Sequence, residues 1–284
     1  MSKPLLVFDG DCSICRRSVD TLVRRRWIAR EDTIAFQELP DEHVEPVWNA
    51  GIHNELGAVD PATGEVRSGV RALAWALRQG ERAAALGRFL EHPLVLPFAR
   101  PIYRTISYNR RILAPVANTG LICACDPDFR LRWRFALLAV MALLIALLVY
   151  VAGTSIDLRA ADGRVLVSGP RDVFALTVVG WAMWLALAGA QLGLQKFTDL
   201  VGHTSMAMAL GLVVFLPAAL AGFVLAPGVL LGVQALFALV AGGLVASSLR
   251  KRLASLELRT SWVAAWAVCV GAGPLLGLFL LGRW

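Results

Sequence analysis

Apolar positions fall in short bursts through the first 134 residues and then run almost unbroken to the end of the chain. Pro4 to Phe8, PLLVF, is a brief apolar run closed by Asp9 and Gly10, which predicts a buried strand. Ile14, Val19, Leu22, Val23 and Trp27 then recur at helical spacing, with Arg16, Arg17 and Arg24 to Arg26 on the other faces. A helix starting at Cys12 follows from that spacing. Thr33 to Gln37 predicts a second strand. HNELGAVDPATGEVRSG predicts two more strands joined by the Pro61 to Gly64 turn, and VRALAWALRQ a helix with Ala72, Leu73, Ala76 and Leu77 on one face. The expected order is β-α-β-(α)-β-β-α.

The stretch His92 to Pro115 alternates Ile102, Ile106 and Leu113 with Arg100, Arg104, Ser107 and Arg111. It has two readings: an amphipathic helix lying on a membrane surface, or a closing helix packed on the small domain with its arginines outward. Beyond it come five apolar segments without Asp, Glu, Lys or Arg: Phe135 to Gly153, Val173 to Gln195, Met206 to Ala226, Val229 to Leu249 and Trp262 to Leu281. Each has the length that crosses ~30 Å of hydrocarbon as a helix. The loop Thr154 to Asp172 has a turn at Asp162-Gly163 and the pattern of a small hairpin, and Pro227-Gly228 reads as a tight turn.

Charge sharpens this division. Residues 1–134 hold 19 Lys and Arg and 16 Asp and Glu, against 9 and 5 in residues 135–284, and the mean hydropathy of +0.62 is too high for a wholly soluble chain. The expected organisation is a domain over 1–118, a basic linker with a C-x-C pair over 119–134, and a transmembrane helical domain over 135–284. The net charge of +7 does not indicate nucleic acid, because the cations are scattered or flank apolar segments. Arg110, Arg111, Arg130, Arg132, Arg134, Lys196, Arg250, Lys251, Arg252 and Arg259 fall in alternate loops, and by the positive-inside rule these are cytoplasmic. An integral protein of a bacterial inner membrane is expected, with its first domain in the cytoplasm and Trp284 outside. His203 and Asp199 are expected in a solvated inner loop, QKFTDLVGHTS. Cys269 is read as a packing thiol, and Trp181, Trp184, Trp262 and Trp266 as interfacial anchors.

The chemistry concentrates in FDGDCSIC. Cys12 at a helix start and Cys15 one turn later form a C-x-x-C dithiol beside a β-α unit. Helix N-terminal N–H groups favour the Cys12 thiolate, making it the exposed nucleophile and Cys15 the resolving thiol. Arg16 and Arg17 favour that thiolate, and Asp9 and Asp11 oppose it. Zinc is a competing reading, with Cys123 and Cys125 as the second ligand pair at an unusual spacing. A phosphatase built on Asp9 and Asp11 needs a lysine, and Lys3 is the only one before the membrane region. A calcium loop lacks its twelfth-position glutamate. Simple packing of both cysteines beside Gly10 is the remaining alternative.

FDGDCSICRRSV resembles the DCC family of thiol-disulfide oxidoreductases, whose members begin with a strand and D-G-x-C-x-x-C. Ser68-Gly69, Ala72 and the tail PIYRTISYNRR match further along, so the likeness covers about residues 4–115. It implies an α/β thioredoxin-like fold, consistent with the element order, and a dithiol activity with Cys12 and Cys15 as the redox pair and Asp9 as the motif's acid. No cofactor or metal is implied. The expected partners are a protein or small-molecule disulfide or dithiol, and the lipid bilayer. Thioredoxins place a proline before the third strand, where this chain is expected to have Gly51-Ile52. The alternative function is a non-catalytic membrane scaffold, or a carrier of an uncharged lipid-like molecule, with a degenerate partner-binding domain. Cys123 and Cys125 are also candidates to relay oxidising equivalents.

Overall fold

The computed structural model describes residues 4–80, 82–114, 127–159, 165–225 and 227–280. The chain divides into two compact units, Met1–Ala136 and Leu137–Trp284.

The first unit runs β1 (Leu5–Phe8), α1 (Ser13–Arg24), β2 (Thr33–Ala35), α2 (Asp41–Asn49), β3 (Gly57–Val59), β4 (Val66–Ser68), α3 (Gly69–Gln79), α4 (Ala84–Glu91), α5 (Leu96–Ser107) and α6 (Arg110–Leu113). Its mixed sheet has the order β2-β1-β3-β4, with β1 parallel to β2 and antiparallel to β3, and β3 antiparallel to β4. Central β1 is covered on both faces, which is why it reads as a continuous apolar run. Leu6 packs with Val19 of α1 and Ala76 and Leu77 of α3, while Val7 packs with Phe36, Val47, Ile52 and Val59. The element order is the one the sequence predicts. The second strand is shorter than expected: it stops at Ala35, because Phe36 turns into the core and Phe36–Glu38 form a single 3-10 turn.

Helix α5 packs against α3, as the second reading expects, but its exposed face is apolar rather than basic. Its apolar residues Phe98 (70%) and Ile102 (63%) are exposed, whereas the Arg104 guanidinium donates to the buried carboxylate of Glu55 at 2.7 Å. Arg104 and Ser107 turn toward the loop before β3, which offers a carboxylate and the Asn54 carbonyl.

The carboxyl-terminal unit is helical. Helix α7 (Leu131–Gly153) leads into it, followed by the antiparallel pair β5 (Asp157–Arg159) and β6 (Val165–Ser168), then α8 (Gly169–Gln191), α9 (Leu194–Ala221), α10 (Pro227–Ala254) and α11 (Ser261–Leu280). The β5–β6 pairing is the hairpin the sequence predicts; its Asp162-Gly163 turn lies outside the described residues. The expected turn at Pro227-Gly228 is instead the start of α10. Among the described residues, four helices are long and apolar enough to cross a membrane: Leu131–Gly153, Gly169–Gln191, Leu194–Ala221 and Val229–Ala254. Helix α11 is apolar as well over Ser261–Val270, and its full length is 20 residues. Helices pack chiefly as the pairs α9 with α10 and α8 with α11. Gly211 permits the first approach, since a Cβ there would meet Val245 Cγ2 at 2.5 Å.

The expected inner loop does not exist. Gln195 to Ser205 form the first turns of α9, and Thr198, His203, Thr204 and Ser205 are buried. His203 Nδ1 lies 3.4 Å from Arg252 Nη1 of α10, so the polar residues that resemble a loop face a neighbouring helix. The tryptophans differ as well. Trp184 is fully buried, edge-on to Trp262, in a core that includes Cys269 and is flanked by Trp181 and Trp266. Trp184 is thus a packing residue rather than an anchor, and the other three are partly buried against the same core; Cys269 packs as expected.

Candidate redox site

The turn Asp9–Asp11 follows the end of β1 and leaves Cys12 as the N-cap of α1, in extended backbone geometry (φ −83°, ψ 115°). In that position Cys12 Sγ accepts the Cys15 backbone N–H at 3.4 Å. A sulfur thus occupies the position where a cap oxygen usually satisfies a free helix N–H. Neither thiol is in a disulfide.

A buried ion pair lies under this turn. Asp9 Oδ2 accepts from Arg110 Nη2 at 3.3 Å, with both side chains almost fully buried. Asp9 Oδ1 accepts the Asp11 N–H at 3.0 Å and Gln37 Nε2 at 3.3 Å. Gln37 also reaches Asp11 Oδ2 at 3.3 Å and accepts the Gly10 N–H at 3.0 Å, so the 3-10 turn after β2 ties the whole DGD segment down. Arg110 Nη2 donates to the His53 carbonyl at 3.0 Å as well.

The tail YNRR holds Arg110 in place. Asn109 Nδ2 donates to the carbonyls of Thr105 (2.7 Å) and Trp133 (2.9 Å), and Asn109 Oδ1 accepts Arg134 Nη1 at 2.6 Å. The loop before β3 is bound to α5: the Leu56 N–H donates to Tyr103 Oη at 2.8 Å, Glu55 takes Arg104, and Ser107 Oγ donates to the Asn54 carbonyl. Gly69 has φ +63°, where an L side chain is strained, and a Cβ there would also meet the Glu55 carboxylate. Burial pushes the Tyr103 phenol well above its usual range.

These contacts set the acidity of the pair. The Cys12 thiol is pulled down from 9.0 to about 6, chiefly by the hydrogen bond from the Cys15 side chain. Burial opposes the shift, and the Cys15 N–H and the Arg110 charge assist it. Cys15 is pushed strongly upward by its hydrogen bond to Cys12, by burial and by the adjacent Cys12 charge. One sulfur of the pair is therefore poised to be a thiolate and the other to stay protonated.

The structure brings Asp9, Cys12 and Cys15 together. It corrects three expectations around them. Cys12 is 4% exposed rather than an open nucleophile, because the cap position tucks its sulfur under the first turn, while Cys15 is only half-buried. Arg16 and Arg17 point to solvent, and Arg110, distant in sequence, supplies the positive charge. The residues before β3 are Glu55-Leu56 rather than Gly51-Ile52, and again no proline stands there. Gln37 and Arg110 were not recognisable as site residues from the sequence. Arg110 had a signal in the NRR tail, and Gln37 had none beyond its place at a strand end. Among the described residues no group of three or more His, Cys, Asp or Glu side chains could hold a metal ion; Cys123 and Cys125, the second pair of the zinc and relay readings, lie outside those residues.

No curated protein and no solved structure matches the chain. Residues 6–114, which run from β1 through Arg110 and so include Asp9, Cys12, Cys15 and Gln37, match the family model of the DCC1-like thiol-disulfide oxidoreductases.

Proposed function

We propose that the protein is a membrane-anchored thiol-disulfide oxidoreductase that works through the Cys12–Cys15 dithiol of a thioredoxin-like domain. The observation that carries this reading is the Cys15 N–H on Cys12 Sγ at the start of α1, with Arg110 beside it, in a segment that matches an oxidoreductase family. The sheet order β2-β1-β3-β4 with one parallel and two antiparallel pairings supports the thioredoxin-like assignment.

In the proposed cycle the Cys12 thiolate attacks one sulfur of a substrate disulfide. A Cys12 mixed disulfide forms, and the other substrate sulfur leaves as a thiolate that takes up a proton. Cys15 then loses its proton, attacks Cys12 Sγ and expels the second substrate thiolate. The substrate gains two electrons and the dithiol becomes a disulfide, which a reduced dithiol partner must restore. The high proton affinity of Cys15 keeps it in reserve until Cys12 is no longer charged. Asp9 is a positioning residue here: it fixes Arg110 near both sulfurs.

Five crossing helices, with α11 as the fifth, would put the basic residues Arg130, Arg132, Arg134, Lys196, Arg250, Lys251 and Arg259 on one side. The positive-inside rule makes that side, and the dithiol, cytoplasmic, in a bacterial inner membrane. Substrate trapping tests the reading. The full-length Cys15→Ser variant should accumulate a Cys12 mixed disulfide with a protein or small thiol in cells, whereas Cys12→Ser should not. Absence of any Cys12 adduct, with cellular function retained by both variants, would favour a scaffold or carrier in which the dithiol is idle.

A further inference from the structure

We propose that the amino-terminal unit carries a docking surface for anionic phospholipid, with acyl chains against the exposed face of α5 and the headgroup phosphate among the arginines beside it. The proposal does not depend on the redox reading.

Two adjoining cavities carry it. The first, about 500 Å³, is apolar and bounded by Phe89, Leu94, Phe98, Ile102 and Ile106. Five large apolar side chains at 47–74% exposure along one face are more than scattered surface residues and mark an interaction site. The second, about 300 Å³, is lined by Arg67, Arg71, Arg100 and Arg104, with Glu55 the one acidic side chain in its wall. Val70 and Tyr103 line both cavities, so the apolar groove opens directly beside the basic one.

The charges in the second cavity favour an anion. Glu55 is engaged by Arg104 at 2.7 Å, and Arg67 is held by Glu65 at 2.9 Å and by Glu91 at 3.6 Å. Arg71 and Arg100 make no ion pair or hydrogen bond among the described residues, which leaves two cations for an incoming group. An apolar stripe beside unpaired arginines is the pattern of an amphiphile site: the arginines suit a phosphate, and the stripe suits chains rather than a folded polar partner.

The chain itself indicates the source of that amphiphile. Helix α5 ends at Ser107, and Asn109, two residues on, is bonded to the Trp133 carbonyl and to Arg134, in the first turn of the first membrane-capable helix. The end of α5 is therefore tied, within this unit, to the first turn of that helix. A bilayer surface is the apolar and anionic partner available at that point.

Photo-crosslinking of the full-length protein tests the assignment. p-Benzoylphenylalanine replaces Ile102, and the protein is placed in nanodiscs of phosphatidylcholine with or without phosphatidylglycerol. Irradiation should give lipid adducts, several-fold more with phosphatidylglycerol present. Arg71→Glu combined with Arg100→Glu should cut the phosphatidylglycerol adduct at least about tenfold, since each cation near an anionic surface is worth roughly fivefold. Unchanged pH-dependent alkylation of Cys12 in that variant shows that the unit is still folded. Adducts to peptide, whether from this chain or a second copy, would overturn the proposal. So would lipid adducts indifferent to headgroup charge and to both arginines, or no adduct at all.

Discussion

Removing the Cys15 thiol while leaving its backbone in place isolates the largest contribution to Cys12 acidity. Cys12 receives two donors from Cys15: the thiol, whose hydrogen bond is the first cause of the drop from 9.0 to about 6, and the N–H at 3.4 Å. A hydrogen bond to a charged acceptor is worth about 1.5–3 kcal/mol. At 1.36 kcal/mol per pKa unit, the side-chain donor accounts for about 1–2 units. Cys15→Ala should therefore move the Cys12 midpoint to about 7–8. The N–H and Arg110 remain, so it should stop short of 9.0. At pH 7 the thiolate fraction should fall from roughly 90% to between about 10% and 50%. Cys15→Ser keeps an O–H donor and should hold the midpoint within about half a unit of the parent. The assay is alkylation of the full-length protein against pH, followed by mass spectrometry, with Cys123, Cys125 and Cys269 replaced by Ala. The midpoint is the readout, because thiolate nucleophilicity itself falls with pKa and burial of Cys12 slows every rate. Equal midpoints for Cys15→Ala, Cys15→Ser and the parent would refute the reasoning.

Three further outcomes are expected. Asp9→Asn removes the charge that opposes the thiolate and should lower the Cys12 midpoint below about 6, yet it also breaks the buried pair with Arg110. Urea unfolding of the amino-terminal unit should show a loss of about 3–5 kcal/mol. Gly69→Ala forces a side chain into φ +63° and against Glu55, so its thermal midpoint should drop by several degrees, with the Arg104–Glu55 contact displaced. Because the folded-state pKa of Cys12 lies below that of an ordinary thiol, its stabilising contribution is complete above pH 9 and vanishes as pH falls through about 6. Urea stability at pH 6, 7.5 and 9 should rise by roughly 1.4 kcal/mol per unit, and Cys12→Ser should flatten that slope.

The elements of the first unit were legible because β1 and its neighbours have clean periodicity and strong punctuation. The dithiol at the helix start was legible for the same reason: Asp9-Gly10 closes the strand and the helical period begins after Cys12. What could not be read was long-range. Arg110 lies 101 residues from Asp9, and its place beside the cysteines depends on Asn109 gripping the chain at Thr105 and Trp133. Periodicity reports which face of α5 is apolar but not which face is buried, and a partner for Arg104 at Glu55 decided that. In the second unit, polarity misled. His203, Thr204 and Ser205 read as loop residues because sequence alone does not reveal that Arg252 of another helix will meet them. Trp184 and Trp262 read as anchors because their mutual packing crosses two helices.

The reduction potential of the Cys12–Cys15 couple tests the central claim most directly. The full-length protein, with the other three cysteines replaced, is equilibrated in graded glutathione buffers and the disulfide fraction read by mass after alkylation. The account predicts one reversible two-electron transition, ~30 mV per tenfold change in ratio, within the roughly −270 to −120 mV range of working dithiols, and its loss in Cys12→Ser. A pair that stays reduced at every ratio, or oxidises without returning, would contradict it.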